Sequence, residues 1–332
     1  MYPLRFEPIF RRYLWGGRRL ATELGKSIGE GVCAESWEIV DRPEANSVIA
    51  NGDLAGTTLH ALIGSSGEQL LGTKVYQQIH RKELPERLRG RFPLLLKFLD
   101  ANKTLSVQVH PDDLAGSKKE IPDLGKTEAW YVMDAAAGSK IYCGLKSGVD
   151  REQLAEAVTQ GATEQVIHAF EPKSGDCVFV PAGTVHAIGQ GLLVAEIQQS
   201  SDTTYRLFDW NRVDAEGNSR DLHVAEALQV TDFENGPVSP QTIGETGEAD
   251  TQALVHCEKF SIKRRSLKAA STQIRLHGGC CLLMVVEGQL RILEEPAGEL
   301  LSKGSSVLIP AASETVTLDC VDEAMVLEIR IP

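Results

Sequence analysis

The stretch CVFVPAGTVHAIGQGLLVAEIQQSSDTTYRLFD, residues 177–209, decides the class of fold. Four short apolar runs stand out in it: Cys177–Val180, Ala187–Ile188, Leu192–Gln198 and Thr204–Asp209. Pro181, Gly183, Gly191 and Asp202 interrupt them. Short strands punctuated this closely by Gly, Pro and Asp predict an all-β sandwich or barrel. Upstream the pattern continues through Phe92–Leu99 and Thr104–Val109, joined by a turn at Asp100–Lys103, then Thr127–Met133 and Lys140–Leu145. Nearer the N-terminus, Ser36–Val40 and Asn46–Ile49 read the same way.

Two regions depart from this pattern. Residues 57–90 read as helical, over Thr57–Leu71 and Val75–Arg89, with Pro85 as a break. Residues 150–170 do so too, over Asp150–Gln160 and Thr163–Phe170. In the first of these, Leu154 and Val158 are four apart and Gly161 is a plausible stop.

Residues 231–252, TDFENGPVSPQTIGETGEADTQ, are rich in Gly, Pro, Ser, Thr and acids and read as a linker or long surface loop. The expected organisation is a first domain over 1–230 and a second β module over 253–332. That module's strands are expected at Phe260–Arg264, Thr272–Leu276, Cys281–Val286, Gln289–Ile292, Ser306–Ile309, Thr315–Leu318 and Ala324–Ile331. GSSVLIPAAS at 304–313 parallels GDCVFVPAGT at 175–184, each a Gly turn leading into a strand that ends in Pro-Ala. The parallel suggests two related barrels, the second without the His.

The chain has 332 residues, 42% of them hydrophobic and 24% charged, which suits an ordinary globular protein. A net charge of -12 argues against a nucleic-acid surface, which needs clustered Lys and Arg. An anionic substrate would need a local positive pocket against that background. The longest apolar runs, Leu94–Leu96 and Cys280–Val286, are too short for a bilayer, and the N-terminus has no apolar core of signal-peptide length. Seven scattered cysteines without a CxxC point to a reducing cytoplasm and buried thiols.

Three segments hold the unusual polar residues. In SVQVHPDD, Gln108 and His110 have strand spacing and share one side. In GKTEAW, Lys126 and Glu128 do the same. In PAGTVHA, His186 follows a strand end, where a loop enters a barrel mouth. One Gln, two His and one Glu offer N and O donors suited to zinc or another first-row divalent ion, and no thiolate lies nearby. Taken singly, each is as well read as a hydrogen-bonded structural residue. Lys126 can equally be a surface strand residue. Arg206 can bind a phosphate or stabilise an oxyanion, or it can form a structural ion pair with Asp202 or Asp209. Trp15, Trp37 and Trp130 read as pocket walls or simply as core.

FPLLLKFLDANKTLSVQVHPDD (92–113), GKTEAWYV (125–132), PAGTVHAIG (181–189) and EIQQSSDTTYRLFDWNR (196–212) resemble segments of the type I mannose-6-phosphate isomerases, in their short bacterial form. RRYLWGG and AESWEI near the N-terminus are similar as well. The resemblance spans roughly residues 1–230. It implies a mainly β, cupin-type double barrel (jelly roll) with a small helical insertion, whose catalytic domain is 1–230. It implies one Zn2+ per chain, held by Gln108, His110, Glu128 and His186. Substrate-side residues carry over as Lys126, Asp202 and Arg206, with Lys126 and Arg206 catalytic.

The implied reaction interconverts mannose 6-phosphate and fructose 6-phosphate through a cis-enediol. The proton carrier stays open among a water on the metal, Lys126 and a carboxylate. The region 146–170 is too short for the full helical domain of longer relatives, which implies a more open site. Two other readings share the fold: an iron-dependent cupin oxygenase, and a non-catalytic sugar-binding cupin. The presence of all seven carried-over residues disfavours the latter. Neither a nucleic acid nor a membrane is expected as partner, and oligomeric state is left open.

Overall fold

The computed structural model describes residues 1–213, 217–241, 244–245 and 250–332, with only the backbone at 244–245. The expected linker at 231–252 therefore lies partly outside the described residues. The chain divides into two compact units. One comprises Met1–Arg11, Arg18–Phe98 and Thr242–Pro332, the other Arg12–Gly17 and Leu99–Gln241.

The second unit is built from two antiparallel sheets. One has the strand Glu128–Ala135 between Leu192–Gln199 and Cys177–Val180. The other runs in the order Tyr205–Phe208, Val107–Val109, His186–Ile188, Ile141–Leu145, Ile167–Phe170. Side-chain alternation sorts this second sheet's two faces. Val107, Val109, Ala187 and Leu207 join a buried cluster with Leu154, Val158 and Ala227. Those last three come from the helices Arg151–Thr159 and Val224–Val230, which cover that face. Full burial of a Leu such as Leu154 contributes roughly 1.5–3 kcal/mol. Gln108, His186 and Arg206 alternate with these residues and so belong to the opposite face.

The helix Arg151–Thr159 starts as its sequence demands. Asp150 accepts from the Gln153 backbone N–H at 2.9 Å, and the Gln153 side chain accepts from the Asp150 N–H at 3.0 Å. Gly161, with φ of 66°, follows the helix. The helix expected over Thr163–Phe170 does not form. A single 3-10 turn at Thr163–Gln165 leads instead into the strand Ile167–Phe170. Edge pairing with Ile141–Leu145 and burial of Ile167 in the helix-covered cluster outweigh a weak local helical pattern.

In the first unit, the strands Ile9–Arg11, Glu35–Ile39 and Leu94–Ala101 lie side by side, and the chain passes to the other unit within the last of them. The helical region holds Leu59–Leu71, kinked at Ser66, and Thr73–Ile79. Beyond Ile79 the expected helix is reduced to a 3-10 turn at Glu86–Leu88. The charged run from Arg81 to Arg89 has too few apolar positions to anchor a helical face.

The remaining sheet takes the order Gly244–Glu245, Thr251–His256, Ser261–Leu267, Ala324–Arg330, Cys281–Ile292, Thr315–Asp319, Ser271–Arg275. The two strands expected at Cys281–Val286 and Gln289–Ile292 are one, with a register irregularity between Val285 and Glu287. Gly288 at the bend has φ of 70°, and a Cβ there would sit 2.1 Å from the Glu323 carbonyl oxygen.

The short sequence repeat has a backbone counterpart. Gly175 N–H donates to Val132 O, and Val132 N–H to Asp176 O, at 2.8 and 2.9 Å. Gly304 and Val285 repeat this, with Val285 N–H donating to Ser305 O, at the same two distances. Both glycines have φ of 92°. Glu128 pairs with Val180 and Cys281 with Ile309, so Cys281 is the register equivalent of Glu128. Cys281 is buried in an apolar cluster, and burial raises its thiol pKa well above the ordinary value. The second sheet thus repeats the scaffold without the polar residue.

Candidate metal centre

The three polar motifs meet in the second unit. The Gly183 N–H donates to the His110 carbonyl at 2.8 Å, and the Lys126 N–H to the Pro111 carbonyl at 2.9 Å. These bonds tie PAGT and GKTE to the segment after the strand Val107–Val109. Gly183 adopts φ of 86°, a conformation suited to glycine.

His110, Glu128 and His186 are each about 1% exposed, with one ligand atom from each lying within 4.8 Å of the others. Glu128 Oε1 is 3.4 Å from His186 Nε2, and Glu128 Oε2 is 3.7 Å from His110 Nε2. The far ring nitrogens are fixed by backbone carbonyls. His110 Nδ1 donates to Thr203 O at 2.9 Å and His186 Nδ1 to Thr184 O at 2.8 Å. This leaves both Nε2 atoms as bare lone pairs facing the carboxylate, the arrangement that prepares imidazoles as metal ligands. Burial, and then the charge of Lys126, lower the His186 pKa to about 3, so the ring is neutral at ordinary pH.

Gln108 lies opposite His186 on the neighbouring strand, its Nε2 3.4 Å from His186 Nε2. Its Oε1 accepts from Ser106 Oγ at 3.2 Å, and Ser106 Oγ accepts from Arg206 Nε at 3.2 Å. Arg206 Nη1 also donates to the Asp221 carbonyl at 2.7 Å. Asp209 is engaged by Arg212 and Arg220 instead. Asp202 is exposed, and its backbone N–H donates to Asp123 Oδ2 at 3.3 Å. Among the described residues, no hydrogen bond or ion pair joins its side chain to the cluster.

Lys126 is buried. Its ammonium contacts His110 Nε2 at 3.0 Å, the Glu128 carboxylate, and Glu196 Oε1 at 3.4 Å. A cationic group thus already sits among these donors. Two imidazoles, a carboxylate and an amide form a set suited to a divalent first-row ion. Trp130 closes one side edge-on to His186, with ring centroids 5.3 Å apart. Trp37 packs into an apolar cluster of the first unit.

Glu196 was not singled out from sequence. It is the one acid in the run LLVAEIQQ and is 3% exposed. A lone carboxylate inside an otherwise apolar strand was the available signal. Ser106 and the carbonyls of Thr184 and Thr203 were missed as well.

The fold and buried site define a mainly β protein of the cupin type with a His-Glu-His cluster. A family model for the phosphomannose isomerase type I catalytic domain matches residues 4–135. The mannose-6-phosphate isomerase ManA of Bacillus subtilis is 35% identical over 311 residues, 93% of each chain. A probable mannose-6-phosphate isomerase of the same organism, GmuF, is 33% identical over 98% of each chain. The crystal structure of the Bacillus subtilis mannose 6-phosphate isomerase superposes with a TM-score of 0.86 at 28% identity, covering 99% of both chains. The chain belongs to the type I mannose-6-phosphate isomerase family. The cupin-type fold and the family resemblance expected from sequence are both borne out, and membership disfavours the oxygenase and sugar-binding readings.

Proposed function

We propose that this chain is a zinc-dependent mannose-6-phosphate isomerase, interconverting D-mannose 6-phosphate and D-fructose 6-phosphate through a cis-enediol, with one Zn2+ per chain. The observation that carries the reading is the convergence of buried, neutral His186 with His110 and Glu128, next to the cation Lys126. Gln108, His110, Glu128 and His186 would hold the ion. A bound zinc ion supplies Lewis-acid polarisation of the open-chain sugar carbonyl.

The rest of the work falls to the chain's side chains. Lys126 offers an ammonium in a buried site, where it counters the negative charge that develops on the enediolate oxygens. Arg206 presents a rigid guanidinium fork suited to the substrate phosphate. Its bond to Ser106 joins it to Gln108, so phosphate binding and metal ligation share one hydrogen-bonded row. Asp202 is assigned to the sugar hydroxyls. With Glu128 committed to the ion, Glu196 is the remaining carboxylate at Lys126, and we assign it the transfer of the proton between C2 and C1.

No helix among the described residues is long and apolar enough to cross a membrane. All seven cysteines are free thiols. The free thiols support residence in a reducing compartment such as the cytoplasm.

The test is a coupled assay of fructose 6-phosphate formation from mannose 6-phosphate, before chelation, after it, and with zinc restored. Activity lost on chelation and recovered with zinc is the expected result. A folded, zinc-loaded protein without activity would overturn the reading.

A further inference from the structure

The first unit contains a cleft of about 550 Å3 that the isomerase chemistry does not use. Its lining is basic: Lys74, Lys263, Arg265, Arg275 and Arg330, against the carboxylates of Glu328 and of the last residue, Pro332. In a chain of net charge -12, such a concentration of cations is self-repelling unless an anion offsets it.

Strand geometry accounts for the concentration. Lys263 and Arg265 are two apart on Ser261–Leu267, and Gln273 and Arg275 are two apart on Ser271–Arg275. Glu328 and Arg330 are two apart on Ala324–Arg330. Each pair therefore shares a sheet face.

The floor of the cleft is built and rigid. Glu328, 4% exposed, accepts from Arg265 Nε and, at 2.8 Å, from Arg330 Nε. Arg330 also donates to the carbonyls of Arg275 at 2.9 Å and Leu276 at 3.2 Å, fixing the turn that follows. That turn places His277 and Gly278 in the left-handed region, with φ of 52° and 77°. For His277 this is an uncommon conformation with a strain cost, of the kind that gathers at binding sites. The turn is pressed against the start of the helix Thr73–Ile79. A Cβ on Gly72 would lie 2.1 Å from the Gly278 carbonyl oxygen.

Lys74, Gln273 and Arg275, by contrast, are exposed. Among the described residues, Lys74 and Arg275 have no side-chain ion pair. Charged groups are thus presented over a floor that is held in place and is itself net positive, with two guanidinium groups on one carboxylate.

We propose that this cleft is a binding site for a small phosphate-bearing metabolite. Lys74, Lys263 and Arg275 bind its phosphate, and Gln273 and His277 meet its polar body. The volume falls in the range of small-molecule sites, and a guanidinium with two ammonium groups matches a dianion better than a single carboxylate. Glu328 and Arg330 act as positioning residues beneath it.

The experiment titrates inorganic phosphate into the full-length, zinc-loaded protein by calorimetry, with hydrogen exchange followed over residues 271–280. The variants are K74Q/R275Q and R206Q, the latter weakening phosphate binding at the isomerase site. The expected result is a saturable site whose Kd rises at least about tenfold, equivalent to 1.4 kcal/mol, in K74Q/R275Q and stays unchanged in R206Q. Phosphate should also slow exchange at 271–280 in wild type and R206Q alone. Isomerase turnover should be the same in K74Q/R275Q as in wild type. Binding abolished by R206Q and untouched by K74Q/R275Q would overturn the proposal. So would the absence of saturable binding at tens of millimolar phosphate.

Discussion

Gln108 and His186 stand directly opposite each other on paired antiparallel strands, their side-chain nitrogens 3.4 Å apart. The register of one strand pair thus sets two of the four assigned ligands, while Glu128 comes from the facing sheet and His110 from just beyond the strand end. Four donors on three backbone segments cannot compensate for one another when one is lost. His186→Ala is expected to reduce zinc retention by more than the roughly 10–100-fold that loss of an outer-shell partner costs. Metal content after exhaustive dialysis, with circular dichroism to check the fold, measures this. Full occupancy in the variant would remove His186 from the ligand set.

The roles proposed for Lys126 and Arg206 separate binding from chemistry. Lys126→Met removes an ammonium from the centre of the site without removing a ligand. It is expected to lower kcat by about 10²–10³, the loss typical of one preorganised charge-stabilising donor, with zinc content preserved. Arg206→Ala should lower kcat/KM and depend on the phosphate. A substrate lacking that group should lose little between wild type and variant. Normal kcat in Lys126→Met, or an unchanged kcat/KM in Arg206→Ala, rejects the role given to that residue.

Much of this site could be read from side-chain identity at strand spacing. Gln108 with His110 and Lys126 with Glu128 share faces because residues two apart on a strand do so. The orienting carbonyls of Thr184 and Thr203 could not be read in that way, because any residue supplies a carbonyl. Glu196 was hidden by the apolar run around it. The strand at Ile167–Phe170 was mistaken for helix because its partner, Ile141–Leu145, is some 25 residues earlier. Local pattern carries no record of such pairing. The helix Val224–Val230 went unread for a related reason. Its stability comes from packing Ala227 into the cluster shared with Leu154 and Val158.

The helix Arg151–Thr159 offers a stability test away from the site. Asp150 caps it, and the capping box with Gln153 satisfies two backbone N–H groups that would otherwise lack a helical partner. Asp150→Ala is expected to cost about 1 kcal/mol. Urea unfolding followed by circular dichroism gives the value, and isomerase activity should be unchanged under native conditions. Because the cap acts through a side-chain oxygen, Asp150→Asn should recover most of the loss. An equal loss in both variants would show that the carboxylate charge at the helix start, and not the cap bond, is what matters.

Glu328 predicts how stability depends on pH. Burial alone would raise its pKa, but Arg330 and Arg265 outweigh burial and hold it below the ordinary carboxylate value of 4.5. A carboxyl group with a lower pKa in the folded state than in the unfolded state binds its proton preferentially when unfolded. Its contribution to stability is therefore complete above the unfolded pKa and is lost as pH falls through the folded one. Glu328→Gln removes that titration while leaving a hydrogen-bonding group between the two guanidinium groups. The variant should be less stable at neutral pH, since Arg265 and Arg330 lose their shared counter-charge. The stability gap between wild type and variant should then narrow as pH is lowered from about 6 to about 3. Urea midpoints across that range, measured for both proteins, give the comparison. A gap that stays constant with pH would mean that Glu328 titrates alike in the folded and unfolded chain, and that its two arginines do not hold it ionised.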